Sequence, residues 1–256
     1  MNSGTAFSLV VDEYAKFRPT YPIAMFEKII TELPFDRRNI AMDLGAGTGL
    51  STLPLCQWFN QVIAVEPDIK LASKLENIDK RIIVRVCKAE ECLQSPSSVD
   101  LVISVNAFYW MDGPRVVEKI SLWLRPNGVL AVCRYGFPKS QHRIIRAILD
   151  KELQIHWNKF RHPRLIDEGY SQRCIMAANK LSDKSIIVIP NSLFLNSKQL
   201  VGFFKSTSYV SAYLRSIRRP ERYLSRLESQ IREASGQGSI PMDFDIEIVL
   251  ARKTRS

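Results

Sequence analysis

Asp43-Leu44-Gly45-Ala46-Gly47-Thr48-Gly49 closes an apolar run, Asn39 to Leu44, and precedes a stretch of helical period, Leu50 to Phe59. Glycines at alternate positions permit a tight turn and let backbone N–H groups approach a ligand at the start of a helix. A dinucleotide-binding loop would carry a further glycine where this chain has Leu50, so the loop does not read as that of a dehydrogenase. The strand–glycine loop–helix order itself sets the expectation for the rest of the fold.

Outward from this loop the pattern repeats. Apolar runs rich in β-branched residues, Gln61 to Val65, Ile82 to Cys87, Val99 to Val105 and Gly128 to Cys133, alternate with helical stretches at Asp68 to Glu76 and Pro114 to Leu124. In the last of these, Val116, Val117, Ile120 and Leu124 recur three and four apart. Strands that are apolar throughout are buried on both faces, which predicts a parallel sheet with helices on either side. The second half continues with expected helices at Arg143 to Phe160, Lys198 to Ile217 and Glu221 to Ala234. Two alternating stretches, Ser185 to Leu195 and Ser239 to Arg252, are expected to extend the sheet as an antiparallel edge. The fold class is therefore α/β: a doubly wound, Rossmann-like sheet of seven strands, mostly parallel with an antiparallel edge strand, and helical cover over its C-terminal rim.

The chain has 256 residues and a formal net charge of +10, with 36 Lys+Arg against 26 Asp+Glu. The excess is confined to one half: residues 1–130 carry 14 basic and 15 acidic side chains, whereas residues 131–256 carry 22 and 11. An anionic partner is expected for that half. No apolar run reaches the ~18–20 residues of a membrane helix, and Met1 to Val10 lacks the basic and apolar segments of a secretory signal, so a cytoplasmic protein with no membrane association is expected. Five cysteines without a CxxC pair read as reduced thiols. His142, His156 and His162 are scattered without acid or Cys neighbours, so no metal site is expected.

In an open parallel sheet, ligands bind beyond the C-terminal ends of the strands. After the second strand stands Val65-Glu66-Pro67-Asp68, and an acid there can accept from both hydroxyls of a ribose. After the third stands Lys88-Ala89-Glu90-Glu91; after the fourth, Asn106-Ala107-Phe108-Tyr109-Trp110-Met111-Asp112; and Leu124-Arg125-Pro126-Asn127-Gly128 leads into the fifth. Taken together and in this order, these segments resemble the class I S-adenosylmethionine-dependent methyltransferases, small-molecule branch, typified by the ubiquinone/menaquinone-type and trans-aconitate-type enzymes. Upstream, Tyr14-Ala15-Lys16-Phe17-Arg18-Pro19-Thr20-Tyr21-Pro22 is similar to a segment that precedes the core in trans-aconitate-like members. The resemblance is detailed over about the first 135 residues.

The resemblance implies S-adenosyl-L-methionine as cofactor and a single domain over 1–256, with N-terminal cap helices in 1–38, a cofactor-binding core in 39–135, and substrate cover helices and the final strands in 136–256. It implies that Gly45, Ala46 and Gly47 face the methionine part of the cofactor and that Glu66 holds the ribose hydroxyls. Pro67 and Ala89 would flank the adenine, Glu90 would meet its amino edge, Asn106 would lie beside the sulfonium, and Asp43 would orient the amino group or the loop. Tyr14 and Arg18, four apart, would share a helix face closing over the cofactor, with Arg18 reaching its carboxylate. Phe108 and Tyr109 are candidates to line the substrate pocket, and Arg134 and Tyr135, after the fifth strand, are candidates to meet a carboxylate substrate. Tyr109 stands where relatives commonly have His, and a phenol is a poor base at neutral pH, so no general base is assigned. The expected activity is in-line methyl transfer to a small, anionic metabolite. Two alternatives are an RNA-interacting methyltransferase using Arg215, Arg218, Arg219, Arg222 and Arg226, and a non-catalytic cofactor-binding protein.

Overall fold

The computed structural model describes residues 17–236 and 238–254, which divide into two compact units. The sheet unit comprises 20–135, 167–189 and 246–254. Five strands, β1 (Ile40–Leu44), β2 (Gln61–Val65), β3 (Ile82–Arg85), β4 (Val99–Val105) and β5 (Leu124–Tyr135), pair in parallel. With β7 (Leu181–Ile189) and β10 (Ile246–Lys253) they form a seven-stranded sheet in the order β3-β2-β1-β4-β5-β10-β7. β10 alone runs antiparallel, to both β5 and β7. The strand of opposite direction thus stands one position in from the edge, and β7 forms the edge itself.

Side chains alternate across the strands, so each face gets its own core. Ala41, Val62, Leu101, Ile103 and Ala131 pack with Met25, Phe26, Ile29 and Ile30 of α1 (Ile23–Thr31). Met42, Leu44, Val102, Leu130 and Val132 pack with Val116, Val117, Ile120 and Trp123 of α4 (Gly113–Trp123). All seven residues of β4 are buried, as a central strand covered on both sides requires. The helices after β1 and β2 are shorter than their periodicity suggests: α2 spans Thr52–Leu55 and α3 Ile69–Ala72. Asp68 caps α3 by accepting from the N–H groups of Lys70 (2.9 Å) and Leu71 (3.4 Å). Tyr170–Met176 forms α7, which the sequence pattern did not reveal; the Tyr170 hydroxyl donates to the Met111 carbonyl (3.0 Å) and accepts from the Gly113 N–H (2.8 Å) at the start of α4.

The helical unit, in its described part, comprises 17–19, 136–166 and 190–245. α5 (Arg143–Glu152) runs into a π-helical turn, Leu153–Trp157, and a 3₁₀ turn, Asn158–Phe160; α6 (Pro163–Ile166) follows. The expected helix at Lys198 to Ile217 is two helices, α8 (Ser197–Lys205) and α9 (Ser208–Ser216), because Thr207 accepts from the Val210 N–H and starts the chain afresh. α10 (Pro220–Ser235) buries Tyr223, Leu224, Leu227 and Ile231 on one stripe. Short strands β6 (Lys139–Ser140), β8 (Ser192–Leu195) and β9 (Ile240–Asp243) make a small antiparallel sheet, ordered β6-β9-β8. Aromatic contacts fill this unit, among them Trp157 with Phe204 at 4.9 Å and Phe203 with Phe244 at 5.0 Å between ring centroids.

Both alternating stretches are therefore split. Pro190 ends β7, and β8 belongs to the other sheet; Phe244 and Asp245 separate β9 from β10 in the same way. Among the described residues, no helix is long and apolar enough to cross a membrane.

Candidate functional site

The strand register brings the C-terminal ends of the parallel strands level: Leu44 pairs with Val65, Val65 with Arg85, and Val105 with Cys133. The loops leaving these ends are cross-tied. The N–H groups of Gly45 (2.8 Å) and Ala46 (3.1 Å) donate to the Val65 carbonyl, folding the glycine loop back over β2. Gly45 (φ +76°) and Gly47 (φ +57°) occupy left-handed conformations. A Cβ on Gly45 would stand 2.4 Å from the Cβ of Ala107, so this glycine is required both by its backbone and by the approach of the β4 loop.

Glu66 is 6% exposed and accepts from the N–H groups of Gly47 and Asp68, each at 2.9 Å. Burial pushes its carboxyl above the usual carboxylate range, and the two backbone donors pull in the opposite direction. A carboxylate accepts about four hydrogen bonds, so Glu66 is held rigidly while keeping capacity for a ligand's hydroxyl pair. Asp43 is wholly buried; its Oδ2 accepts from the hydroxyls of Ser51 and Thr52, both at 2.7 Å. Desolvation pushes its carboxyl up to about 6. Asp43 Oδ1, Thr48 Oγ1 and Asp68 Oδ2 are buried without a hydrogen-bond partner among the described residues. Buried polar atoms are nearly always paired, so three such atoms gathered at the C-terminal ends of β1 and β2 fit a polar ligand with donors for them.

At the end of β4, Asn106 adopts φ +52° and is fixed on three sides. Its N–H donates to the Cys133 carbonyl (2.8 Å), its Nδ2 donates to the Tyr21 hydroxyl (3.1 Å), and its Oδ1 accepts from the Tyr135 N–H (3.1 Å). Tyr21 was legible only as part of a motif; its partnership with Asn106 spans 85 residues and has no local signature. Tyr135 is buried and takes part through its backbone.

Pro67 is exposed and Ala89 is buried on the two loops beyond β2 and β3. Glu90 departs from expectation: its Oε1 accepts from the Asp112 N–H (2.7 Å), so the side chain braces the turn into α4. Phe108 is 2% exposed and packs in the core with Val116 and Val117, close to Tyr170, so its role is packing. Tyr109 stays half-buried, with its ring 5.1 Å from that of Trp110. Arg134 donates to the Glu168 carbonyl (2.8 Å) and lies 3.8 Å from the Glu168 carboxylate, so it anchors the segment before α7 and is not presented to a carboxylate substrate. Arg18 groups with the helical unit, where it lies over the Phe203 ring (5.2 Å) and donates to the Ser206 carbonyl (3.4 Å) at the end of α8. A cation is stabilised at a helix C-terminus, and this is where the helical unit holds Arg18. Tyr14 lies outside the described residues. His142 caps α5 through Nδ1, and His162 Nδ1 accepts from the Arg164 N–H (3.2 Å).

Residues 42–132 match the methyltransferase-domain family. A Dictyostelium discoideum protein named as a methyltransferase is 27% identical over 96% of this chain and 94% of its own length. The Saccharomyces cerevisiae protein CRG1, named as an S-adenosylmethionine-dependent methyltransferase, is 31% identical over 49% of this chain, spanning about half of its own length (45%). Among solved structures, one named as a type II methyltransferase, from Anaeromyxobacter dehalogenans, superposes with a TM-score of 0.75 at 24% identity, covering 94% of this chain and all of that one.

Proposed function

Because the chain is built on a class I S-adenosylmethionine-dependent methyltransferase domain, we propose that it transfers the cofactor's methyl group to a small, anionic metabolite. The observation that carries the site assignment is the pair of buried acceptors at the end of β1 and just after β2: Asp43 Oδ1 without a partner, and Glu66 with two backbone donors and two positions to spare. Glu66 would take the ribose hydroxyls, Asp43 the amino group, and the glycine loop the methionine part. Pro67 and Ala89 would border the adenine, and Asn106 would stand by the reacting centre. The cofactor supplies a sulfonium-activated methyl group; the chain supplies orientation.

In-line displacement needs the nucleophile within ~3 Å of the methyl carbon, so rigid positioning can supply most of the rate. Asn106, locked by Tyr21, Tyr135 and Cys133, and Glu66, locked by Gly47 and Asp68, are rigid in this sense. A substrate carboxylate is already ionised at pH 7 and needs no proton acceptor, which suits loops on which no histidine stands. The charge of residues 131–256 supports an anion as substrate.

Incubating the purified protein with methyl-labelled S-adenosylmethionine and an extract of small metabolites tests this reading. A labelled product one methyl heavier, derived from an acid, is expected; labelling of RNA alone, or of nothing, would contradict it.

A further inference from the structure

Part of the basic excess of residues 131–256 lies in the helical unit. A cavity of about 250 Å³ is lined by Ile148, Lys151 and Glu152 of α5, His156 of the π-helical turn, and Arg226 and Gln230 of α10. Its one acid is already committed. Glu152 is 5% exposed and accepts from the Tyr223 hydroxyl, while Trp157 Nε1 donates to that same hydroxyl oxygen (2.9 Å) and so turns its proton toward the carboxylate. Burial and the adjoining Glu152 carboxylate push the Tyr223 phenol far above its ordinary value, so it remains a donor. His156 Nε2 lies 3.8 Å from Glu152, and its ring is stacked on Tyr213 (5.1 Å) and edge-on to Tyr223 (5.9 Å), which fixes the imidazole in the wall.

The remaining lining charges are both cationic donors, Lys151 and Arg226, and Gln230 adds an amide. Lys151, Arg226 and Gln230 are exposed at the mouth, and among the described residues neither Lys151 nor Arg226 forms an ion pair. Arg226 lies over the Tyr223 ring (5.7 Å), which restricts its guanidinium. Arg222, Arg226 and Gln230 follow one another at spacings of four along α10, so a stripe of exposed polar side chains leads to the cavity. A guanidinium fork and an ammonium converging on one small space, with an amide beside them, are the groups that bind a multivalent oxyanion.

We propose that this cavity is a second ligand site, taking a phosphate or polycarboxylate group of a small molecule between Lys151 and Arg226. Gln230 donates a further hydrogen bond, and Glu152, engaged by the Tyr223 hydroxyl, forms the floor and is the one lining charge that opposes the anion.

Calorimetric titration of the whole protein with pyrophosphate and, separately, with citrate tests it; which of the two binds more tightly identifies the group. The double variant Lys151→Gln, Arg226→Gln should weaken the preferred anion at least tenfold, while Arg215→Gln with Arg218→Gln, in the last turn of α9 and the link to α10, should leave it within twofold. Glu152→Gln, which keeps an acceptor for Tyr223, should tighten it. S-adenosylhomocysteine affinity, measured on every variant, should be unchanged and reports that each is folded. Equal losses in both double variants would show only a diffuse field and overturn the proposal. So would failure of both anions to bind, or tetramethylammonium binding that vanishes in Glu152→Gln, which would make the cavity a cation site.

Discussion

Asp43 is the residue at which stability and ligand binding oppose each other most clearly. Its carboxyl is raised to about 6 by burial, against an ordinary value of 3.8. The folded chain therefore holds this proton more tightly than the unfolded chain. The associated stability is full below about pH 4 and is lost as pH rises through 6, a cost of about 3 kcal/mol at pH 7. A cationic amino group at Asp43 would favour the ionised form. Two outcomes are expected: affinity for S-adenosylhomocysteine falls as pH drops from 7 to 5, and Asp43→Asn, still accepting from Ser51 and Thr52, flattens the pH dependence of both affinity and melting temperature. Parallel pH profiles for the two proteins would remove Asp43 from the site. The placement of Asp43, the glycines and Glu66 at the ends of β1 and β2 was legible in the sequence because it follows from residue type and spacing. The contacts of Glu90, Arg134 and Arg18 were not, because their partners, Asp112, Glu168 and Ser206, are brought near only by the fold.

At the level of elements, the sheet is held by polar anchors as well as by its apolar faces. Asp100, buried in β4, accepts from the N–H groups of Asn39 (2.9 Å) and Ile40 (3.0 Å) at the start of β1, and from Arg125 (3.0 Å) of β5. It joins three neighbouring strands at the end opposite the candidate site. Arg125→Met leaves this charge buried with only backbone donors and should lower stability by about 2–4 kcal/mol in urea unfolding, with cofactor affinity of the folded protein unchanged. Tyr21→Phe is expected to do the reverse: it removes one hydrogen bond from Asn106, costing about 1 kcal/mol of stability, and lowers S-adenosylhomocysteine affinity by about fivefold. An unchanged affinity would mean that Asn106 does not need this bond. The five parallel strands were legible because each carries a short run of β-branched and other apolar residues, although the edge strand β3 buries none of its residues. The two alternating stretches were legible as strands but not by sheet: a period of two is the same in either sheet, and only Pro190 and the Phe244–Asp245 link mark where the chain changes unit.

Over the whole molecule, the contrast between a near-neutral first half and a basic second half corresponds in part to the division into units. The sheet unit draws on three chain segments, and its strand β10, between β5 and β7, comes from the last residues described. The helical unit carries the arginine stripe of α10 and the cavity beside it. The proposed activity requires that the loops after β1 and β2 hold S-adenosylmethionine through Glu66 and its neighbours. Titrating S-adenosylhomocysteine into the wild-type protein and into Glu66→Ala by calorimetry measures it directly. One-to-one binding to the wild type and a loss of at least about tenfold in the variant, roughly 1.4 kcal/mol or more, are predicted. No binding to the wild type, or equal affinity in a folded Glu66→Ala protein, would contradict the account.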